Sequence, residues 1–356
     1  MLAVVTDEVR RFHAGLPGYA PTPLHELPAL AAELGVGRVL VKDESSRFGL
    51  PAFKVLGASW AINRLLSEMS PEEMGREGGA GKAGRDGGRG TTRLVTASDG
   101  NHGRAVARVA KQRGLEAHVF VPSGVHPSAI AAIEAEGAQV STIAGSYDDA
   151  VRAAAEAGGT LVQDTAWPGY ERIPQWIVDG YSTLFAEIME QLGAAPDVLI
   201  MPVGVGSLAQ AGTTYFAEYP TLLVAVEPTN ATFLGASREA GEPVTTDTSE
   251  TVMAGLNCGT VSSLAWPYLK DRLDRAVTVT DAQSLSAAEA LRLHGISAGP
   301  CGAAALAAAR TMTLAPGATV VLLSTEGADA NPWDDGANPG DDDTEPRGES
   351  ALRPYR

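Results

Sequence analysis

Short apolar runs and amphipathic stretches take turns along this chain. RVLVK (38–42), closed by Asp43, predicts a strand, and residues 55–68, with apolar Val55, Leu56, Ala58, Ile62 and Leu65, predict a helix. From residue 92 the two patterns alternate regularly. Strands are predicted over TRLVTA (92–97), EAHVFVP (116–122), AQVSTIAG (138–145) and TLVQDT (160–165), with helices over 102–114, 127–137 and 146–158 between them. A long helix near 175–193 leads to the strands DVLIMPVG (197–204) and TLLVAVEP (221–228), and ATVVLLSTEG (318–327) is the last. Strands joined by single helices through short loops imply parallel sheets covered on both faces. The fold expected is α/β, with two lobes of open parallel sheet and a cleft between them.

Two stretches break the pattern. GREGGAGKAGRDGGRG (75–90) is nearly devoid of apolar side chains and reads as a surface loop. It makes a poor phosphate-binding P-loop, because Lys82 is followed by Ala83 and no strand leads into it. After Pro332 the sequence WDDGANPGDDDTEPRGES is acidic and rich in Gly and Pro, so 334–356 is expected to be a flexible tail.

Composition narrows the partners. Asp plus Glu outnumber Lys plus Arg by 43 to 27, for a formal charge of −16. That argues against non-specific nucleic-acid binding, while a local pocket can still take an anionic small molecule. The two cysteines, Cys258 and Cys301, form no CxxC pair, so neither a structural zinc nor any other metal site is expected, and a disulfide is not favoured. The N-terminus lacks the core of a signal peptide, and no run of 18 apolar residues exists, so a soluble, cytoplasmic protein without a membrane partner is expected.

Ligands of open parallel sheets bind beyond the carboxyl ends of the strands. Three such ends stand out. Ser98-Asp99-Gly100-Asn101-His102-Gly103 opens a helix. Ser98 or Asp99 would serve there as a cap, Gly100 and Gly103 allow close backbone approach, and Asn101 is a good donor to an aromatic hydroxylate. His102 reads as a structural residue packed at the helix start. Gly204-Val205-Gly206-Ser207-Leu208 places small residues before a helix, where exposed N–H groups favour a phosphate. A dinucleotide fingerprint would need a third glycine where Ala209 stands, although Glu227 lies near the distance of its acidic partner. Ser324-Thr325-Glu326-Gly327 ends the last strand, and its hydroxyls either satisfy local backbone groups or face a ligand.

Lys54, in FKVLGA, stands at the start of the helix that follows strand 38–42. With SDGNHG, GVGSL and STEG in this order, the chain resembles the fold-type II pyridoxal-phosphate (PLP) enzymes, of the tryptophan synthase β type, over roughly residues 20–330. GLPGYAPTPL (15–24), VQDTAWPGYERIP (162–174) and MAGLNCGTVSSLAW (253–266) bring the resemblance closest to diaminopropionate ammonia-lyase. The resemblance implies a homodimer with PLP as cofactor. It implies a larger PLP-binding domain from 1–72 and 158–333, and a smaller one from 73–157.

It also implies roles. Lys54 matches the Schiff-base lysine, Phe53 the residue packed against the cofactor, and Asn101 the contact to the ring hydroxyl. Gly204, Val205, Gly206, Ser207 and Leu208 match the phosphate loop, and Ser324 the ring-nitrogen partner, with Thr325 close enough to compete. Asp99 and Asp164 match two catalytic carboxylates, Asp99 as base toward the D-isomer and Lys54 toward the L-isomer. The chain departs from the family in having Gly299-Pro300-Cys301-Gly302-Ala303 where many relatives have Glu-Ser-Gly-Ala, and Ser207 where many have glycine.

The expected reaction is β-elimination of 2,3-diaminopropionate to pyruvate and ammonia. The freed lysine should have a depressed pKa, by burial or a cationic neighbour, so that it can take the Cα proton. The departing amine needs an acid, for which Asp99 and Asp164 are the candidates. The rival readings are a dehydratase for serine, threonine or 3-hydroxyaspartate, which would lose water with the same lysine, and a β-replacement enzyme.

Overall fold

The structure is a computed structural model that describes residues 2–69 and 92–330. The glycine-rich insert and the acidic tail singled out in the sequence lie outside the described residues.

Two sheets organise the chain. Numbered in chain order, the strands are β1 (Leu24–Glu26), β2 (Arg38–Asp43), β3 (Arg93–Ala97), β4 (Glu116–Pro122), β5 (Gln139–Ile143), β6 (Thr160–Leu161), β7 (Val198–Pro202), β8 (Leu222–Pro228), β9 (Arg275–Val279) and β10 (Thr319–Ser324). The larger sheet runs β1-β2-β10-β7-β8-β9, parallel except for the antiparallel edge strand β1. The smaller sheet runs β5-β4-β3-β6, all parallel.

The central strands are mostly apolar because both faces are covered, with polar residues toward their ends. Along β10, Val320 and Leu322 join the core beneath the Ala-rich helix Pro300–Thr311, while Val321 and Leu323 join the core that holds the helices Val55–Glu68 and Arg172–Leu192. Val198 and Ile200 of β7 repeat the first choice, Leu199 and Met201 the second. In the smaller sheet, Val95, Ala97 and Phe120 pack on the helix Tyr147–Glu156, and Leu94, Val119 and Val121 face the helix Asn101–Arg113.

The strand expected over 160–165 shrinks to two residues. Its pairing with β3 puts it in the smaller sheet, beyond the boundary drawn at residue 157. The segment then leaves the ladder, and Asp164 reaches the cleft.

Two features hold the start of the helix Val55–Glu68. That helix crosses the helix Arg172–Leu192 at Gly57 and Gly180, where a Cβ on Gly180 would stand 2.6 Å from Leu56 O and 2.7 Å from Gly57 Cα. The backbones therefore touch, and only glycine fits. Upstream, Lys42 and Arg47 share the carboxylate of Glu187 at 2.7 Å each, and Arg47 also pairs with Glu44 at 2.6 Å. All four side chains are at most 1% exposed. Buried charges persist only when paired and hydrogen-bonded. Thr22 contributes to this closure, its hydroxyl donating to Glu44 and its carbonyl accepting from Lys42.

Candidate active site

The carboxyl ends of β3, β6, β7 and β10 meet in one cleft. Phe53, Lys54, Asp99, Asn101, Asp164 and the whole of Gly204–Leu208 line it, so the structure brings these sequence-selected residues together. Ser324 does not form the wall, which Thr325 and Glu326 supply instead. The Ser324 side chain is fully buried, and its Oγ has no hydrogen-bond partner among the described residues.

Lys54 caps the helix Val55–Glu68, and its Nζ donates to Asp164 Oδ2 at 2.6 Å. Burial works against the ammonium, but the Asp164 carboxylate outweighs it and holds the lysine pKa above its ordinary range. The depressed pKa expected from the sequence concerns the freed lysine beside a cationic neighbour, a different state from this ion pair with Asp164. Asp164 responds in kind. Burial pushes it up, Lys54 and then His102 pull it down, and the net effect lies below the usual carboxylate range.

Asp99 goes the other way. Burial first and the Asp164 charge second push its carboxyl up to about 8, with Lys54 opposing. The cleft therefore holds two carboxyl groups whose pKa values are pushed apart, Asp164 down and Asp99 up, the pattern that separates base from acid at enzyme sites.

Phe53 is buried against the Tyr181 ring, with centroids 4.8 Å apart. Lys54 Nζ lies 5.4 Å from the Phe53 ring centroid. Asn101 is the first residue of its helix, and its Nδ2 donates to Glu326 Oε2 at 2.5 Å. His102 donates Nε2–H to the Val162 carbonyl at 2.8 Å, which holds the ring at the helix start, and its Nδ1 stands 4.0 Å from Asp164 Oδ2.

Gly206 has φ +102° and immediately precedes the helix Ser207–Tyr215, and a Cβ on Gly204 would meet the Gly255 carbonyl at 2.8 Å. Ser207 turns its hydroxyl away from the loop and donates to the Asp164 carbonyl at 2.5 Å.

Four lining residues escaped the sequence reading of the site. Tyr147 donates to Asp164 Oδ1 at 3.3 Å and accepts from Gln163 Nε2 at 2.8 Å. Its phenol stays neutral, because burial and then Asp164 raise its pKa. Glu326 sits inside the STEG turn already singled out, one residue past the hydroxyls. Cys258 and Cys301 are free and buried in the same wall. Glu326 and the two cysteines lie in stretches that the sequence had marked, though with no site role given to them. Tyr147 begins a helix of the other sheet, where an aromatic residue is unremarkable.

A lysine at a helix start, an amide donor, a glycine cradle at a helix N-terminus and an orphaned buried hydroxyl form a fitting set for a phosphorylated pyridine. Residues 16–326 match the family of pyridoxal-phosphate dependent enzymes, and the chain belongs to that family. The paired sheets give it the fold-type II architecture, and its cofactor is pyridoxal phosphate. Within the family, it is 40% identical to diaminopropionate ammonia-lyase of Salmonella typhimurium, over 78% of this chain and 73% of that one. It is 35% identical to the Escherichia coli K12 enzyme of the same name, over 89% and 87% of the two chains. The crystal structure of the Escherichia coli enzyme with an aminoacrylate-PLP azomethine reaction intermediate matches with TM-score 0.79 and 32% identity, covering 92% of this chain and 89% of that one.

Proposed function

We propose that this PLP-dependent lyase eliminates the β-amine of 2,3-diaminopropionate, giving pyruvate and ammonia. The observation that carries the reading is the charge of the cleft wall. Among its lining residues the carboxyl side chains of Asp164 and Glu326 stand against one ammonium, Lys54, with Asp99 beside them as a carboxyl that binds its proton more tightly. Such a wall suits a substrate with an additional amine. A 3-hydroxyaspartate would instead need a second cation for its second carboxylate.

The residues that would hold the cofactor are Lys54, Phe53, Asn101, the backbone of Gly204–Leu208 and a hydroxyl of the Ser324–Thr325 pair. Bound there, the cofactor supplies an electron sink for the Cα carbanion.

The chain supplies the rest. Lys54 Nζ gives up its proton to become a base, and Asp164, 2.6 Å away, is placed to share that proton. A β-amine leaves only as neutral ammonia, so it must depart from its protonated form, which the acidic wall favours. Asp99, whose pKa burial and the Asp164 charge raise, can supply that proton where the amine arrives neutral. When protonated it is a donor, and when ionised it is a base on a second side of the cleft, which suits the use of both D- and L-isomers. Tyr147 and Gln163 fix the Asp164 carboxylate, so that it does not rotate away from Lys54. Water then hydrolyses the released aminoacrylate to pyruvate and a second ammonia. The finer readings, a homodimer working in the cytoplasm, belong to the same proposal.

The test is pyruvate release by the PLP-loaded protein from L- and D-2,3-diaminopropionate, beside L-serine, L-threonine and threo-3-hydroxyaspartate. Diaminopropionate turning over well above the hydroxy acids is the expected result. Consumption of a hydroxy acid with none of the diamine would leave the cofactor chemistry standing and overturn the substrate.

A further inference from the structure

We propose that Glu326 is a positioning residue that fixes the orientation of the Asn101 amide, turning its N–H groups and not its carbonyl toward the cofactor ring. The inference rests on the PLP reading of the cleft. An asparagine amide is nearly symmetric in shape, so packing alone does not choose between its oxygen and its nitrogen. A carboxylate accepts and cannot donate, and therefore chooses.

Glu326 Oε2 takes one Nδ2–H of Asn101 at 2.5 Å. With the amide flipped, two oxygens would face each other in a site where Glu326 is 2% exposed. The second N–H of the same nitrogen is then the group left for a ring oxygenate.

The surroundings keep the carboxylate in place. Glu326 pairs across an isolated antiparallel bridge with Ala52, two residues before Lys54, and its carbonyl accepts from Gly299 N at 3.0 Å. A Cβ on Gly302 would stand 2.6 Å from Glu326 O, and one on Gly299 3.1 Å from Glu326 Oε1, so two glycines make room for it. Cys301 lies between them in sequence. Burial first and Glu326 next raise its thiol well above the ordinary range, so it remains an S–H donor beside the carboxylate. The Pro300-Cys301 departure in this chain thus lies beside the residue that orients Asn101.

The test is a double-mutant cycle on cofactor affinity. PLP is titrated into PLP-free wild type, Asn101→Ala, Glu326→Gln and the double variant, followed by visible absorbance, with thermal melting to confirm folding. Asn101→Ala should weaken PLP about tenfold, the worth of one hydrogen bond to a charged oxygen. Glu326→Gln, which can donate and so lets the amide flip, should weaken it several-fold in wild type. In the Asn101→Ala background it should change it hardly at all. Additive losses, or an intact affinity in Glu326→Gln while Asn101→Ala is weakened, would overturn the inference. A wild type that takes up no PLP would sink the cofactor reading itself, a distinct result. Glu326→Asp, which withdraws the carboxylate by one methylene, replaces Gln in the cycle should that variant not fold, and the same pattern is required of it.

Discussion

Replacing Asp99 by Asn isolates one charge, and the effect on stability can be worked out in sign and size. A carboxyl whose pKa is raised on folding binds its proton more tightly in the folded chain than in the unfolded one. Between the unfolded value near 4 and the folded value of about 8, the native state holds more protons, so stability falls as pH rises through that window. The rise from 3.8 to about 8, at about 1.4 kcal/mol per pH unit, sets a ceiling of about 6 kcal/mol. Asp99 is only half-buried, and solvent screening reduces the expected loss to about 2–3 kcal/mol. Asparagine does not titrate and removes the loss. The assay is urea unfolding of PLP-free wild type and Asp99→Asn at pH 5 and pH 8.5. The variant should gain about 2–3 kcal/mol on the wild type in going from the lower to the higher pH. Identical pH dependence in the two proteins would refute the raised carboxyl, and with it the use of Asp99 as a neutral-pH proton donor.

Two further outcomes follow from packing. Glu187→Gln leaves Lys42 and Arg47 buried with one carboxylate, Glu44, between them, and should destabilise the chain by about 3–5 kcal/mol in denaturant titration. Gly180→Ala sets a methyl against backbone at 2.6 Å, which cannot yield as a side-chain tip would. It should cost about 1–3 kcal/mol or more in thermal melting and weaken PLP binding, since the displaced helix begins at Lys54.

The parts of the fold that were legible in the sequence are those whose burial is uniform. Central strand β7 is apolar at every position and β10 at its four inner ones, and the helix 55–68 has the bounds its pattern predicts. Edge strand β9 was left unassigned, because RAVTV is half exposed and carries Arg275 and Thr278. The helix Pro300–Thr311 hides its period for the opposite reason, being buried on nearly every side as a run of alanines.

The site followed the same logic. Loops that must let a ligand approach the backbone announce themselves with glycine, as Gly100, Gly204 and Gly206 do. Groups recruited by long-range contact do not. Tyr147 reaches Asp164 from another helix, and Lys42 looks like the end of a strand until Glu187, 145 residues further on, arrives beside it. The ion pair of Lys54 with Asp164 is of the same kind, because residues 110 positions apart in sequence meet only in the fold.

The phosphate loop and the Asp164 segment are laced together. Ser207 Oγ donates to Asp164 O, Ser262 N donates to Val205 O at 2.9 Å, and Ala166 N donates to Ser262 Oγ at 3.0 Å. Grip on the phosphate and placement of the proton-handling carboxylate are therefore not separate design variables in this protein. A mutation selected in the loop for tighter cofactor retention would be inherited by the pH profile as well. Improvement of one trait constrains the path by which the other can evolve, and Ser207 is the residue at which that constraint is written.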